Sequence, residues 1–151
     1  MQRTGTAIIG GGASGIAAAI SARAGSDETV ILEKTARLAK KVLASGNGRC
    51  NLSNEHLEPS RYNKAARALV RNVFERYDGG RIRAFFGSLG VSLYSDGGRL
   101  FPATNQSGTV VRALELALIR AGVRVCLEHD ITGIRPSDGG FTLTSRAGER
   151  I

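Results

Sequence analysis

The 151-residue chain has no tryptophan, one methionine, three prolines and two cysteines, and only 5% of its residues are aromatic. Cys50 and Cys126 stand too far apart, and are too few, to build a disulfide framework or a four-ligand zinc site. Their scarcity suits a reducing, cytoplasmic setting. His56 and His129 match no metal-ligand spacing, so no metal is expected. There is no run of 18 apolar residues, which argues against a transmembrane helix and against a membrane partner. Internal repeats and low-complexity tracts are also missing. Acid is absent from one whole stretch: between Glu33 and Glu55 there is no carboxylate, while Lys34, Arg37, Lys40, Lys41 and Arg49 fall inside it.

What the chain does contain bounds it further. Leu, Ile, Val and Phe number 38 of 151, above the ~20% below which chains stay disordered. Twenty glycines is nearly double ordinary usage, yet they show no three-residue period, which excludes collagen. The formal net charge is +8, and 17 of the 21 basic residues are arginine. Such a surface attracts polyanions, phosphate groups included, and says nothing of fold. Arg3 followed by Ala7 to Ala22 imitates a short signal peptide, but Gly10, Gly11, Gly12 and Gly15 interrupt the would-be apolar region.

Along the chain, Thr6–Ile9 reads as a buried parallel strand, Ser14–Arg23 as a helix stopped at Gly25-Ser26-Asp27, and Thr29–Leu32 as a second buried strand closed by Glu33. That is a βαβ unit within 33 residues. Tyr62, Ala65, Ala66, Leu69 and Val73 recur at helical spacing with Lys64, Arg67 and Arg71 on another face, predicting an amphipathic basic helix. Arg81–Leu89 predicts a further helix ended by Gly90. Val91–Tyr94 and Arg99–Phe101 flank the turn Ser95–Gly98 as a hairpin. A helix over Thr109–Ala121 carries Val110, Leu114, Ala117 and Leu118 on one face and ends at Gly122. Strands follow at Val123–Leu127, Ile131–Ile134 and Phe141–Thr144. Asp138-Gly139-Gly140 turns between the last two, and Arg150-Ile151 begins another strand. The pattern asks for more chain than is given, which predicts a truncated portion of a larger protein. The fold class is α/β, with a parallel sheet and a β-meander near the C-terminal end.

Gly10-Gly-Gly12-Ala13-Ser14-Gly15 matches G-x-G-x-x-G after a predicted strand and at the opening of a predicted helix. Glu33 ends the next strand 18 residues after Gly15, the context a dinucleotide fingerprint requires. Gly10 permits the tight turn, Gly12 lets backbone N–H groups approach a pyrophosphate, and Gly15 lets helix meet strand. The helix N-terminus adds partial positive charge. Glu33 is placed to accept hydrogen bonds from a ribose diol and to repel a 2′-phosphate, with Lys34 beside it partly offsetting that repulsion. On these residues FAD and NAD both remain open. Ser45-Gly46-Asn47-Gly48-Arg49-Cys50-Asn51 is a second candidate, with glycines for close approach and Arg49 and Lys41 offering charge to phosphate or to a reduced flavin. Alone it reads equally well as a solvated loop.

Four blocks occur in order: Gly10–Gly15, Glu33-Lys34, Lys41–Asn54 and Gly98-Arg-Leu-Phe-Pro102. In these the chain resembles the bacterial FAD-dependent oxidoreductase family of YhiN, BaiN and aminoacetone oxidase, over essentially its whole length. Ser53 departs from the family's usual threonine and keeps the hydroxyl. The family's members are much longer, with an inserted domain and a second FAD-contacting stretch near the C-terminus, both expected to be absent here. The resemblance implies a Rossmann-like FAD/NAD(P)-binding fold in which residues 1–151 are the N-terminal part. It implies that Gly10, Gly12, Ala13, Ser14 and Gly15 hold the FAD pyrophosphate and Glu33 the adenosine ribose. Lys34, Lys41 and Ser45–Asn51 would lie along the cofactor toward the isoalloxazine, and Ile131 would contact adenine through its backbone. It also implies hydride transfer between a small-molecule substrate and flavin N5 in the full-length enzyme, with NAD(P)H as an electron donor.

Other readings are weaker. Related disulfide reductases carry a C-x4-C pair on the loop after the second strand, and this loop has Cys50 alone. Arg49 could lower the Cys50 pKa, but a packed, inert thiol is the preferred reading, and Cys126 is expected in the core. The basic helix around Lys64, Arg67 and Arg71 lacks an interleaved aromatic platform, so nucleic-acid binding is disfavoured. Two alternatives stay open: a nucleotide-binding fragment without turnover, and a relative of tRNA-modifying flavoproteins. No catalytic residue, substrate or oligomeric state is legible.

Overall fold

A computed structural model describes residues 3–23, 25 and 28–151 of the chain. In chain order its strands and α-helices begin with β1 (Thr6–Ile9), α1 (Ala13–Arg23), β2 (Thr29–Leu32), α2 (Lys40–Ala44) and β3 (Ser53–Asn54). They continue with α3 (Arg67–Arg76), α4 (Gly79–Ser88), β4 (Leu93–Asp96), β5 (Arg99–Pro102) and α5 (Ser107–Arg120). The last three are β6 (Arg124–Cys126), β7 (Ile131–Ser137) and β8 (Gly140–Ser145). The expected end of α1 at Gly25-Ser26-Asp27 falls partly on Ser26 and Asp27, which lie outside the described residues. The chain divides into two compact units, Met1–Val42 with Leu114–Ile151, and Leu43–Ala113.

The first unit is built on a parallel sheet of order β1-β2-β6, with Thr6 opposite Thr29 and Val30 opposite Arg124. β2 is the central strand, and all four of its residues are buried, which is why its sequence runs β-branched and apolar without alternation. Helix α1 packs on β1 and β2 and buries Ile16 and Ala19 completely. Elsewhere in the unit Val30 and Leu32 meet Leu143, with Cys126, Ile131 and Ile151 around them. Cys126, expected in the core, packs against this cluster but is only partly buried. β7 and β8 form an antiparallel hairpin turning at Asp138-Gly139, with an irregularity between Ile131 and Gly133. Beyond it Thr144 bridges Arg150, and Leu143 and Ile151 exchange backbone hydrogen bonds of 2.9 and 3.1 Å. The expected strand at Arg150-Ile151 is thus reduced to an isolated bridge beside a two-stranded hairpin, because pairing runs over too few residues to form a strand.

Along β1 the Thr6 and Gly10 N–H groups donate to Glu28 and Leu32 of the β2 side. Period-two geometry then turns the backbone groups of Ala7 and Ile9 to the other edge. No strand pairs there among the described residues, and a groove of about 660 Å³ runs past Ala7, Ile9, Ile134 and Phe141.

The second unit contains an antiparallel sheet of order β3-β5-β4. Its hairpin turns on two left-handed residues, Gly97 and Gly98, so Ser95 and Asp96 belong to the strand rather than to the broader turn expected from sequence. Two consecutive left-handed residues match the right-handed twist of paired strands. Asp78 caps α4 by accepting from the Arg81 N–H at 2.8 Å, and left-handed Gly90 follows its end. Helix α3 starts at Arg67, after a tight turn over Lys64–Ala66, later than the periodicity suggested. Its expected inner face is not buried: Leu69 is 68% exposed and Val73 44%. The α5 face read from sequence is borne out, since Val110, Leu114, Ala117 and Leu118 are all buried.

Because Ile31 is fully buried in the central strand, Ile31→Ala removes packed methylenes that the sheet cannot replace. A loss of about 2–5 kcal/mol is expected, read as a lowered urea midpoint at unchanged slope.

Candidate functional site

The first unit places the glycine fingerprint between the end of β1 and the start of α1. Gly10 has φ +99°, a conformation that side chains resist. A Cβ on Gly15 would stand 2.0 Å from the Gly10 carbonyl oxygen, so the close approach of helix to strand requires glycine there. Gly12 differs. Its backbone is not left-handed, and a Cβ built on it meets nothing within 4 Å. Gly12, Ala13 and Ser14 are exposed. The first helical bond is Ile16 N–H to the Gly12 carbonyl at 2.9 Å, which leaves the Ala13, Ser14 and Gly15 N–H groups without intrahelical acceptors. No acidic residue lies in that first turn.

Glu33 does more than the sequence suggested. Its Oε2 accepts from the Gly11 N–H at 2.6 Å and its Oε1 from the Thr35 N–H at 2.8 Å. Its own N–H donates to the Cys126 carbonyl and its carbonyl accepts from the His129 N–H, both at 2.9 Å. Partial burial pushes the carboxyl pKa up, but the hydrogen bonds from Gly11 and Thr35 and the charge of Lys34 outweigh it and hold it below the ordinary value. Gly11, which sequence reasoning passed over, is the partner of this clamp. Its carbonyl also accepts from left-handed Ala39 at 2.8 Å, and a Cβ on it would fall 2.2 Å from Leu38 Cδ2. The signal available in sequence was the third consecutive glycine, one more than the fingerprint uses. Lys34 and Lys41 are exposed. Ile131 opens β7 opposite Ser145, with its side chain against the Val30–Leu32–Leu143 cluster.

In the second unit the Ser45–Asn51 loop is unusually shaped. Gly46, Asn47, Gly48 and Cys50 all have positive φ, between 53° and 83°. Non-glycine residues seldom occupy that region, and two do so here. The loop is held to the Gly98–Pro102 block, so two of the four family-like motifs meet in space. Leu52 N–H donates to the Leu100 carbonyl, and Glu55 N–H to that of Gly98, each at 2.8 Å.

Arg49 sits in the middle of this contact rather than reaching outward. Its guanidinium carbon lies 4.1 Å from the Phe101 ring centroid. Its N–H groups donate to Asn105 Oδ1, the Tyr94 hydroxyl and Asp96 Oδ2 at 2.9, 2.7 and 2.9 Å. The bonds to Asp96 and Tyr94 raise its pKa further above the arginine value. Tyr94, Asp96 and Asn105 were not legible as partners, being 45 to 56 residues away in sequence. Cys50 is 2% exposed, and burial pushes its thiol pKa up against a partly offsetting hydrogen bond with Ser45. Arg49 therefore does not activate it, and the inert reading stands. Both cysteines are free thiols, and the described residues contain no cluster of three metal-ligating side chains. No helix among them is long and apolar enough to cross a membrane.

A parallel βαβ sheet with a glycine turn and an acid at the second strand's end defines a Rossmann-type dinucleotide-binding domain. The model of the HI0933-like protein Rossmann domain matches residues 4–151, and the chain belongs to that family. It is 40% identical over 145 residues to the 3-dehydro-bile acid delta(4,6)-reductase of Clostridium scindens, a match covering 95% of this chain and 35% of that protein. It is 24% identical over 144 residues to the ribosomal RNA dihydrouridine synthase of Escherichia coli, covering 95% and 36%. The chain thus spans about a third of the length of these curated relatives. Among solved structures, the 3-ketosteroid-delta4-(5alpha)-dehydrogenase of Rhodococcus jostii aligns with a TM-score of 0.60 at 12% identity, over 98% of this chain and 43% of that one. At that identity the likeness shows the fold.

The Glu33 clamp sets an acid response. A carboxyl whose folded pKa is lowered adds stability that is fully present above the unfolded value of ~4.3 and is lost as pH falls through the lowered folded value. The melting temperature of Glu33→Gln should therefore fall furthest below the natural chain near pH 7, and the gap should shrink below about pH 4. A pH-independent gap would show that the charge is not what holds the loop.

Proposed function

We propose that this chain is the N-terminal FAD-binding portion of a flavin-dependent oxidoreductase acting on a small molecule. The observation that carries the reading is the contrast among the fingerprint glycines. Gly10 and Gly15 are explained by the chain's own geometry, whereas among the described residues neither a close neighbour nor a left-handed backbone calls for glycine at Gly12. Open space at that position, ahead of three N–H groups without helical acceptors, fits a pyrophosphate brought against the backbone. Ala13, Ser14 and Gly15 would donate to it. Glu33 has lone pairs left after serving Gly11 and Thr35, and these would accept from the adenosine ribose.

Bound FAD would supply two-electron chemistry at flavin N5, and NAD(P)H would serve the complete enzyme as donor. The further assignments of Lys34, Lys41, Ser45–Asn51 and Ile131 to the cofactor rest on family resemblance. A role for Arg49 there would be through the loop shape it fixes, because its charge is already engaged by Asp96. A second reading, an RNA-modifying flavoprotein, is favoured by the Escherichia coli relative, which is named for an activity on ribosomal RNA.

Calorimetric titration of the 151-residue chain with FAD and with ADP tests the first reading. FAD should bind, and Gly12→Ala should weaken FAD and ADP by at least tenfold, about 1.4 kcal/mol, while leaving the urea midpoint nearly unchanged. Equal, weak affinity for both ligands would instead support a nucleotide-binding module. No binding of either would overturn the assignment.

A further inference from the structure

The cofactor reading uses none of the charge on the segment from Pro59 to Arg83. That segment holds seven Lys and Arg residues against two acids, Glu75 and Asp78. Asp78 spends an oxygen on the cap of α4. Arg83 is paired with Glu55 at 2.8 Å, and Arg61 lies 4.0 Å from Glu58. Lys64 and Arg71 form no ion pair among the described residues, and both are exposed. Arg67 is held differently. Its Nε donates to the Tyr62 carbonyl at 3.1 Å and its terminal N–H to the Ser60 carbonyl at 3.2 Å. Neutral acceptors fix the position of that guanidinium and leave its charge uncompensated.

Arg67 and Arg71 are four apart on α3, like charges on successive turns, an arrangement that costs an isolated helix stability. Lys64 precedes them at the next spacing. Beside this stripe stands an aromatic surface that sequence reasoning did not find. The Tyr62 ring is braced edge-to-face by Phe74, with centroids 5.8 Å apart at 69°, and remains 44% exposed. Its carbonyl is the one that orients Arg67. Fixed guanidinium, free cations and an exposed, supported ring are the parts that bind a single-stranded polynucleotide, phosphates on the cations and an unpaired base on the ring.

A bilayer fits the same helix less well. Leu69 and Val73 form its exposed apolar row, with Tyr77 just past its end. Leu69 follows Arg67 by two residues, which turns that row about 200° around the axis from the Arg67–Arg71 stripe. A membrane taking the apolar row would leave those cations facing away from the lipid phosphates.

We propose that the stripe made by Lys64, in the turn before α3, and by Arg67 and Arg71 of α3, with Tyr62 beside it, is a binding surface for single-stranded nucleic acid. The inference goes beyond the flavin reading and does not depend on it, since the surface uses none of the residues assigned to FAD.

The test uses the 151-residue chain and fluorescein-labelled oligouridylate and oligothymidylate of about 15 nucleotides, titrated across a salt series. Binding should weaken with salt. Lys64→Ala with Arg71→Ala should flatten the logarithmic salt slope by about 0.7 for each cation removed. Tyr62→Ala should lower affinity about fivefold or more with little change in slope. Arg120→Ala with Arg135→Ala removes equal charge from the first unit and should have much the smaller effect. The two oligomers separate RNA from DNA preference, and either one binding through this stripe supports the proposal. It is overturned if neither oligomer binds, if the Arg120 and Arg135 control weakens binding as much as the α3 variant, or if the chain binds phosphatidylglycerol vesicles and no oligomer. Circular dichroism and FAD titration of each variant distinguish loss of this surface from loss of fold or of the cofactor site.

Discussion

The first unit is organised by one carboxylate at the end of a buried strand. Glu33 follows four residues that are shut off from water, and its main chain is already fixed by Cys126 and His129 on the neighbouring strand side. The side chain therefore starts from a rigid base. From there it draws in the Gly11 N–H, which shapes the glycine turn, and the Thr35 N–H, which shapes the segment after it. Gly11 in turn receives Ala39. Loop, strand end and following turn are thus tied to a single anion. Because an ionised carboxylate has about four lone-pair sites, the group that builds the loop still has acceptors to offer a diol. Structure and the proposed recognition of a ribose would share one residue without a conflict of geometry.

The second unit solves a comparable problem with a cation. Four of the five residues from Gly46 to Cys50 are left-handed, a backbone of order 1–3 kcal/mol per strained non-glycine residue above an ordinary turn. What over-determines that shape is Arg49, the one residue of the five that is not left-handed. It lies over Phe101 and donates to Tyr94, Asp96 and Asn105. A guanidinium can do this because its planar fork addresses several acceptors while its face stacks on a ring; a lysine ammonium has no such face. The exposure of the Arg49–Asp96 pair makes its geometry, more than its Coulomb energy, the useful part.

Sequence pattern disclosed most of what depends on local rules. The βαβ unit, the fingerprint with Glu33, the buried face of α5 and the hairpin after Ile131 each follow from periodicity, glycine placement or spacing, and each is present. What escaped it depends on distant partners. Asp96 is 47 residues from Arg49, and nothing in either neighbourhood announces the other. Gly11 looked redundant because its role is to meet Glu33 across a strand and a helix. The α3 face failed for a related reason. Periodicity correctly gave a helix, but whether Leu69 and Val73 are buried is decided by what packs there, and they are exposed. The aromatic content near the basic stripe was misjudged because Tyr62 and Phe74 come together only once the turn before α3 is folded.

The placement of charge sharpens how an anion would be held. The sequence invited the view that Lys41 and Arg49 supply positive charge to a diphosphate. Arg49 is instead balanced by Asp96 within its own unit, and the fingerprint itself contains no cation. Attraction of an anion to Gly12–Gly15 would therefore come from N–H dipoles, equivalent to roughly half a positive charge at the helix end. Dipoles of that kind are worth most where water is excluded and the acceptor sits directly against the backbone, which is the approach that the open space at Gly12 permits. Glu33 then acts as the opposing charge. Its lowered pKa keeps it ionised through the neutral range, so a second phosphate on the adenosine ribose would meet an anion, while a free diol would meet an acceptor. Exposed Lys34 tempers that repulsion without removing it, since a solvated ammonium is screened more strongly than a half-buried carboxylate. A balance of one fixed anion against neutral dipoles would favour a pyrophosphate that ends in an unphosphorylated ribose, a form FAD shares with NAD.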